Sequence, residues 1–211
     1  SWTYQSNVID GNTLTLLETK VVLEGITVGG KALREHFEAI NHRDAILYVE
    51  DIIKKQEPFS EWQIRNIHQL ILKNIDDENA GRYRQQNVLI SGATTNPPDH
   101  TLLNDKMAQF IDWYNTEAHK LHPIERSAKV HADFVGIHPF VDGNGRTSRL
   151  LMNLELMKAG YPPSVITVDN RLAYYEALDQ WMAYGNRAPF NSLVAAVVLE
   201  GFKPYQTVLG I

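Results

Sequence analysis

The chain has 211 residues, enough for one domain with a sizeable core, and a formal net charge of −5 at pH 7. It has no basic run and no cysteine, which argues against a nucleic-acid partner and excludes disulfides and cysteine-ligated metal sites. Since no apolar run is long enough to span a membrane and no signal peptide is recognisable, we expect a cytoplasmic protein without a membrane partner.

Helical signals fill the first third of the chain. An initial segment ends at Gly11-Asn12, which is a typical helix C-cap. A capping box at residues 15–18 opens a short helix, and apolar spacing predicts a long helix over residues 32–55. A second capping box at residues 60–63 opens a helix that ends near residue 76.

Residues 82–98 are the exception in this helical pattern. Residues 87–91 favour a strand, with Val88, Leu89 and Ile90 in succession, and turn residues follow them. The pattern predicts a short β-hairpin. Taken alone, such a hairpin is best interpreted as a surface feature with no role.

Two further helices lead to the part of the chain with the most chemistry. Residues 99–118 carry apolar side chains at helical spacing, and Pro123 occupies the favoured first position of the next helix. His131 lies within that helix and is a candidate catalytic base. Because His131 has no loop beside it, we interpret it as a core histidine.

One short segment then combines a histidine, an acid, a Gly-Asn-Gly turn and two arginines. It reads His138-Pro139-Phe140-Val141-Asp142-Gly143-Asn144-Gly145-Arg146-Thr147-Ser148-Arg149. Gly and Asn tolerate positive φ, so the turn leads the chain into a helix predicted over residues 146–159. Backbone N–H groups at the start of that helix therefore point away from it and are free for a ligand.

The start of that helix is a natural anion site, because its free N–H groups and its dipole both favour negative charge. Gly143 and Gly145 let the backbone approach a ligand closely, and Arg146 and Arg149 add two cations. Basic residues in a first turn oppose the dipole, and such local conflicts are expected at functional sites. The pattern indicates a site for more than one phosphate.

Two side chains before the helix complete this chemistry. Cellular phosphate chains usually carry magnesium, and Asp142 is a hard oxygen ligand at the mouth of the anion site. His138 is placed to act as the general base for a hydroxyl nucleophile. Taken singly, a His-Pro pair is more often a helix end and Gly-Asn-Gly more often a hairpin. It is their combination that favours a catalytic site.

The last part of the chain is again helical. A helix stop at residues 160–163 precedes helices predicted over residues 171–184 and 189–200. Tyr174 lies on the apolar stripe of the first of these, which indicates core packing. Tyr175 lies beside the stripe and is free for another role.

The segment from His138 to Arg149 resembles the signature of the Fic domain family, His-x-Phe-x-Asp-Gly-Asn-Gly-Arg-x-x-Arg, at every defining position. The resemblance implies an all-α fold with a short β-hairpin flap over the active site. It implies transfer of AMP from Mg-ATP to a Ser, Thr or Tyr hydroxyl of a target protein, with His138 as base and Asp142 as ligand to Mg²⁺. The nucleotide-binding residues that it implies are Gly143, Asn144, Gly145, Arg146, Arg149 and Tyr175, the last near the adenine.

The resemblance also gives the hairpin a role. In the family the flap follows a Gly-Arg-Tyr-Arg-like segment, here residues 81–84, and pairs with the backbone of the target as an added strand. We therefore expect Val88, Leu89 and Ile90 to form the edge on which the target protein docks.

Residues 6–12 resemble the inhibitory motif Ser/Thr-x-x-x-Glu-Gly/Asn of the subgroup with an N-terminal inhibitory helix, with Ser6 in place and Asp10 where glutamate is expected. In that subgroup the acid pairs with the second signature arginine, here Arg149, and blocks the γ-phosphate. Aspartate reaches about 1.5 Å less far than glutamate, so we expect a weakened pair and only partial autoinhibition. A near match at residues 196–201 lacks the hydroxyl residue and ranks lower.

The resemblance divides the chain into an N-terminal inhibitory helix region, residues 1–25, and a catalytic domain, residues 26–211. Three other activities stay open: hydrolytic removal of AMP at the same site, transfer of a different phosphate-containing group, and nucleotide binding as a regulatory module without catalysis. Apolar stripes on the early helices would also allow a homodimer.

Overall fold

The computed structural model describes residues 1–209, and the regular elements in this range are all helices, which confirms the all-α fold. Within it the α-helices are α1 (Trp2–Ile9), α2 (Leu16–Leu23), α3 (Leu33–Lys54), α4 (Glu61–Leu72), α5 (Leu103–Thr116), α6 (Pro123–Ile137), α7 (Asn144–Lys158), α8 (Arg171–Tyr184) and α9 (Ala188–Leu209). Short 3-10 helices at His100–Leu102, Ala118–Lys120 and Val168–Asn170 lie in the connections.

Helix α7 lies at the centre of the molecule, and its side chains are buried almost throughout. Leu150 and Leu154 pack into one core with residues of α3, α4, α5 and α6. Met152 and Leu156 pack into a second core with residues of α6, α8 and α9. Because both faces of α7 are packed, its first two turns, which carry the signature arginines, are held from several directions.

The capping signals are confirmed fully at α2 and only in part at α4. The Thr15 hydroxyl accepts the Glu18 N–H at 3.1 Å, and the Glu18 carboxylate accepts the Thr15 N–H at 2.7 Å. At α4 the Ser60 hydroxyl accepts the Gln63 N–H at 3.4 Å. The reciprocal bond is missing because the Gln63 amide donates to Glu57 instead, at 2.9 Å.

The segment predicted to be a β-hairpin contains no strand in the described part of the chain. Residues 87–97, which we call the flap loop, are extended apart from turns, and the Ala93 N–H donates to the Ile90 carbonyl oxygen at 3.2 Å. The prolines at residues 97–98 lack the N–H groups that a strand ladder needs. The expected hairpin is therefore corrected to an extended loop.

Side chains hold the flap loop in place of a strand ladder. Thr94 donates to Asp179 of α8 twice, from its N–H at 2.7 Å and from its hydroxyl at 2.6 Å. At the base of the loop the Asn87 amide donates to the Asp99 carboxylate at 2.8 Å and accepts the His100 N–H at 2.9 Å. The loop is thus tied to α8 at one point and to its own base at another.

Helix α9 extends beyond the predicted residues 189–200, as far as Leu209. Gly201 lies inside this helix rather than ending it, and a Cβ there would lie 3.2 Å from the carbonyl oxygen of Pro163. The glycine therefore serves close packing. Among residues 1–209, no helix combines the length and apolar character that crossing a bilayer would require.

Candidate active site

The signature borders a cavity of about 590 Å³ between α6, α7, α8 and the flap loop. Its lining includes Asp10, Leu89, Ile90, His138, Gly145, Arg149, Tyr174 and Tyr175. A smaller cavity of about 260 Å³ shares some of these residues and also reaches Asp142, Gly143 and Asn144. Most of the site residues predicted from the sequence thus lie around this pair of cavities.

A third cavity, of about 640 Å³, lies among the flap loop, α5, α6 and α8. It shares Ile90 and Met182 with the cavity beside the signature. Although it is larger, none of the predicted catalytic, phosphate-binding or metal-binding residues lines it. We therefore place the candidate active site at the signature.

His138 ends α6 in the left-handed conformation, with φ 50° and ψ 57°. Its Nδ1 lies 3.3 Å from the carbonyl oxygen of Val135, which can only accept, so we assign the proton to Nδ1 and leave Nε2 as the free basic nitrogen. Burial lowers the pKa of His138 to about 4, an effect that the Val135 carbonyl and Asp142 oppose and that Arg84 reinforces. The imidazole is therefore neutral near pH 7, as a general base must be.

At both glycines of the signature a side chain would come too close to neighbouring atoms. Gly143 precedes α7 with φ 76°, and a Cβ there would lie 3.3 Å from Nε2 of His68. A Cβ on Gly145 would lie 3.1 Å from Nη1 of Arg149 and 3.3 Å from Oδ1 of Asp10. A side chain at Gly145 would thus compete with the groups that face the cavity.

Two polar side chains hold the loop that precedes α7. The Asn144 side chain accepts the Phe140 N–H at 3.0 Å and donates to the Phe140 carbonyl oxygen at 2.9 Å. His68 of α4 donates from Nε2 to the Asp142 carbonyl oxygen at 2.8 Å, while its Nδ1 accepts the Gly81 N–H at 2.9 Å. The Asn144 side chain is therefore occupied within the loop, and only its backbone N–H remains for an anion.

The two signature arginines are both buried but have different partners. Arg149 lines the cavity, whereas Arg146 lines neither of the two cavities beside the signature. The guanidinium of Arg146 lies 3.5 Å from each of three carboxylates, those of Asp10, Glu38 and Asp142. Of the two cations predicted for the anion site, only Arg149 therefore faces the cavity, because acids from three segments hold Arg146 aside.

Helix α1 reaches Arg149 directly. Arg149 donates from Nε to the Ser6 hydroxyl at 3.0 Å, and from Nη2 to the Ser6 carbonyl oxygen and to Asp10 Oδ2, each at 2.8 Å. Burial opposes the charge of Arg149, but Asp10 and Tyr174 outweigh it and raise its pKa above the usual value. Asp10 thus contacts Arg149 in spite of its shorter side chain, because Ser6 brings α1 close and Gly145 leaves room for the carboxylate.

The near match at residues 196–201 does not reach the site. The Glu200 carboxylate is exposed and pairs with Lys203 at 2.6 Å, one turn further along α9. It lines neither cavity beside the signature. Asp10, and not Glu200, is thus the acid that faces Arg149.

The adjacent tyrosines lie in different environments. Tyr174 is buried, and its hydroxyl lies 3.1 Å from Nε2 of His131 and 3.5 Å from Nη1 of Arg149. Tyr175 is 43% exposed, lines both cavities, and donates to the Ile9 carbonyl oxygen at 3.3 Å. The interpretation of His131 as a core histidine is confirmed by its complete burial, although it also supports the network behind Arg149.

Asp142 is the carboxylate at the mouth of the site. Its Oδ2 accepts from Arg34 at 2.5 Å, and its Oδ1 accepts the Gly143 N–H at 2.6 Å. Burial acts to raise the pKa of Asp142, but Arg146, the Gly143 N–H and Arg34 together lower it below the ordinary value. In residues 1–209 no three His, Cys, Asp or Glu side chains are grouped to hold a metal ion, so a cation at Asp142 would need ligands from a bound molecule.

The flap loop lies over the cavity, as predicted. Leu89 and Ile90 line it, whereas Val88 does not. Leu89 is 78% exposed. A loop with an exposed apolar residue beside a cavity is suited to contact another molecule.

Comparisons of the sequence and of the fold with known proteins lead to the same family. The sequence model of the Fic/DOC family matches residues 58–156. The chain is 42% identical over 195 residues to a protein adenylyltransferase Fic of Nematostella vectensis, an alignment that covers 91% of this chain and 45% of that protein. The chain thus spans about half the length of such curated relatives, or less.

Two solved structures share the fold over nearly the whole chain. Fic-1 of C. elegans, residues 134–508, superposes with a TM-score of 0.91 at 33% identity and covers 99% of this chain and 62% of its own. A Fic domain containing signaling protein of Bacteroides thetaiotaomicron superposes with a TM-score of 0.88 at 30% identity, covering 95% of this chain and 82% of its own.

Proposed function

The chain belongs to the Fic/DOC family, and from that premise we propose that it transfers AMP from ATP to a Ser, Thr or Tyr hydroxyl of a target protein. The observation that carries the proposal is that His138, the start of α7 and Arg149 border the same cavity. The names of the adenylyltransferase relatives support the same reaction class. The cavity volume of about 590 Å³ is in the range of small-molecule sites.

His138 is the base in this proposal. The target hydroxyl oxygen forms a bond to the α-phosphorus of ATP, the bond from that phosphorus to pyrophosphate breaks, and the hydroxyl proton passes to Nε2 of His138. The hydrogen bond from Nδ1 to Val135 supports this role, because it orients the ring and leaves Nε2 unprotonated. The pKa of His138 near 4 keeps the base available at neutral pH.

The phosphates would lie at the start of α7. The backbone N–H groups of Asn144 and Gly145 lie at that end of the helix, where the dipole also favours an anion, whereas the N–H of Gly143 would first have to leave Asp142 Oδ1. Arg149 would bind an outer phosphate once Asp10 releases it, and Arg146 would have to turn from its three carboxylates to assist. Tyr175, which is half-exposed at the cavity wall, is suited to contact the adenine.

Asp142 fits a magnesium ion that arrives with ATP. Mg²⁺ is usually held by one or two carboxylates together with substrate phosphates and water, so the single ionised carboxylate of Asp142 is sufficient. When bound, Mg²⁺ would neutralise part of the phosphate charge. To bind the metal, Asp142 would have to leave its ion pair with Arg34.

We also propose that residues 1–25 regulate a catalytic domain formed by the remaining residues. Ser6 and Asp10 of the N-terminal region occupy the Arg149 guanidinium, which an outer phosphate would need. The contact of Asp10 uses a single carboxylate oxygen rather than a bidentate pair. The inhibited state would thus be one that a competing ligand or a shift of α1 can open.

The target protein would contact the flap loop. Leu89 and Ile90 border the cavity, and no strand partner in residues 1–209 uses the backbone of this loop. An extended target segment could therefore add its backbone hydrogen bonds there, with its hydroxyl directed to His138. A homodimer remains a further proposal, for which the exposed side chains of Leu17 and Leu33 on the early helices are the available apolar contacts.

Incubation with ATP labelled at either the α- or the γ-phosphorus tests the reaction class. Label from the α-position on protein supports AMP transfer. Label from the γ-position would indicate phosphorylation instead. A protein that binds ATP but takes up label from neither position would be a nucleotide-binding module. His138→Ala serves as the control for signal that does not arise from this site.

Removal of AMP from a modified protein is a second candidate, favoured by one observation. The carboxylate of Asp10 lines the same cavity as His138, so it lies where a carboxylate could orient a water molecule. Incubation of an AMP-modified protein with the chain, without ATP, would release AMP if this activity exists. Loss of release in Asp10→Asn would assign it to Asp10.

A further inference from the structure

A buried arginine outside the signature connects the flap loop to the residue that carries the proposed base. Arg84 is only 3% exposed. It donates from Nε to the His138 carbonyl oxygen at 2.9 Å, from Nη1 to that of Gln86 at 2.9 Å and from Nη2 to that of Pro98 at 2.7 Å. Its own backbone N–H donates to the Pro139 carbonyl oxygen at 2.9 Å.

The positions of these acceptors show which parts of the chain Arg84 connects. Gln86 immediately precedes the flap loop and Pro98 immediately follows it. One planar guanidinium, whose N–H groups have a fixed geometry, therefore holds both ends of the loop and the backbone of His138 at once. A buried cation that binds backbone carbonyl oxygens is costly unless each contact is well placed, so an apolar residue would be expected here if packing alone were required.

His138 needs such support because its conformation is unfavourable. It has φ 50° and is not glycine, and it precedes Pro139, which disfavours helical conformations in the residue before it. Its N–H donates to the Phe134 carbonyl oxygen at 3.0 Å, which fixes one of its peptide groups. Arg84 fixes the other by binding the His138 carbonyl oxygen.

We propose that Arg84 is a positioning residue that couples the flap loop to His138, so that the target segment and the base are aligned by one side chain. The role rests on the proposed AMP transfer. Arg84 itself lines neither cavity beside the signature, so it acts through the two elements that it joins. Its charge also lies close enough to His138 to reinforce the lowered pKa of that ring.

Arg84→Lys tests the coupling, because it keeps the charge and loses the planar fork that reaches three carbonyl groups. We expect a folded protein in which backbone amides of residues 87–97 exchange with solvent faster while those of α7 do not. The KM for ATP should stay within about twofold, whereas kcat for transfer to a protein should fall by about 10²-fold and the KM for that protein should rise. Arg82→Ala, two positions earlier and exposed, is the matched control and should change none of these values.

Two results would overturn the proposal. One is unchanged exchange of the flap loop and unchanged kcat in Arg84→Lys. The other is faster exchange throughout the chain with equal losses in ATP and target binding, which would make Arg84 a general structural residue. Arg84→Gln, which keeps a shorter planar donor, should lie between Arg84→Lys and the natural chain in flap exchange if planarity matters.

The natural chain also gives a direct test that needs no variant to fold. The Nε–H of Arg84 should show a slowly exchanging resonance in nitrogen-15 spectra, and a rapidly exchanging one would exclude the buried contact to His138. If the natural chain transfers no AMP, the proposed function fails. The exchange measurements would still decide whether Arg84 holds the flap loop to His138.

Discussion

The carboxylate of Asp10 lies 2.8 Å from Nη2 of Arg149, although aspartate is one methylene shorter than the glutamate of the inhibitory motif. The contact is possible because Ser6 binds the same guanidinium through both its hydroxyl and its carbonyl oxygen. Position in α1, and not side-chain length alone, therefore sets the distance between the two groups. The proposed regulation by α1 would depend on how easily Asp10 can be displaced.

The first prediction concerns removal of the Asp10 carboxylate. Asp10→Gly should raise AMP transfer, because Arg149 becomes free to bind an outer phosphate. Coupling energies of about 1–3 kcal/mol between sites correspond to roughly 5–150-fold, and we expect a rise in that range. Self-modification with α-labelled ATP measures it. Asp10→Asn, which keeps the shape and removes the charge, should behave like Asp10→Gly. Equal rates in all three proteins would mean that residues 6–12 are only a helix end.

Side-chain length alone would predict that Asp10→Glu inhibits AMP transfer more strongly than the natural Asp10, but the structure does not favour that result. Since Asp10 already contacts Arg149, a longer side chain must fit against Gly145, where the space for a Cβ is limited by Asp10 Oδ1 at 3.3 Å. Tighter inhibition is therefore not expected from reach alone. The same self-modification assay, applied to Asp10→Glu, tests this expectation. A rate well below that of the natural chain would show that side-chain length limits the pair.

The second prediction assigns the base. His138→Ala should reduce AMP transfer by about 10²–10⁴-fold, the usual loss for a positioned general base. ATP affinity should be nearly unchanged, because the imidazole is not part of the anion site at the start of α7. Calorimetric titration with ATP, beside the transfer assay, separates the two. The exposed His119→Ala is the control. Transfer at the natural rate in His138→Ala would move the base elsewhere.

The protonation of His138 can be checked in the same protein. Its pKa near 4 is below the ordinary value, so the neutral form should persist as pH falls from 7 to about 5. A nitrogen-15 spectrum of the nucleotide-free chain should show no titration of this ring in that interval. A midpoint near 6.5 would show that the burial of His138 is not maintained in solution.

Local parts of the site could be predicted from the sequence, and non-local parts could not. The turn at Gly143 and Gly145 depends on backbone preferences of neighbouring residues, and it lies where the pattern predicts it. His68 and Arg84 hold the same loop from positions far away in the chain, through bonds to backbone carbonyl oxygens. No spacing rule relates a side chain to a distant carbonyl group, so neither contact could be identified from the sequence. A polar ring on the apolar face of α4 is the one signal that His68 offers.

The direction of Arg146 and the absence of strands in the flap loop both differ from the predictions, and for the same reason. The direction of Arg146 depends on Glu38, which α3 brings close by tertiary packing and which sequence spacing does not reveal. The flap loop has strand-forming residues, yet tethers to Asp179 and Asp99 take the place of a ladder. In both cases a long-range polar contact outweighs a local preference.

The third prediction tests the docking role of the flap loop. Leu89→Pro removes a backbone N–H at an exposed position and disfavours pairing with an added strand. Transfer to an external protein should fall while ATP affinity is retained, since Leu89 is not at the start of α7. Leu89→Ala is the matched control, which removes the apolar side chain and keeps the N–H. A parallel loss of ATP binding in Leu89→Pro would make the segment structural.

The fourth prediction concerns acid stability and a histidine outside the catalytic proposal. His42 of α3 is completely buried, its Nδ1 lies 3.3 Å from the Thr3 hydroxyl of α1, and its Nε2 has no partner in the described chain. Burial, with Arg149 and Arg146 nearby, lowers its pKa to about 3. Trp2 packs edge-on against the ring with centroids 6.1 Å apart, and the groups that shift the pKa of His42 include no carboxylate.

The sign of the effect follows from linkage. The unfolded chain binds a proton at His42 below about pH 6.5, whereas the folded chain does so only near pH 3, so stability is lost as pH falls through this interval. One such proton corresponds to a slope of about 1.4 kcal/mol per pH unit. Urea unfolding at pH 7.5, 6.0 and 5.0 should show the free energy of unfolding falling with pH. In His42→Leu, which cannot bind a proton, the slope should be smaller by about that amount, although the variant loses the bond to Thr3 at every pH. His119→Leu, an exposed position, should leave the slope unchanged. If His42→Leu has the same slope as the natural chain, the ring is not held neutral in the folded protein, and α1 does not seal it from water.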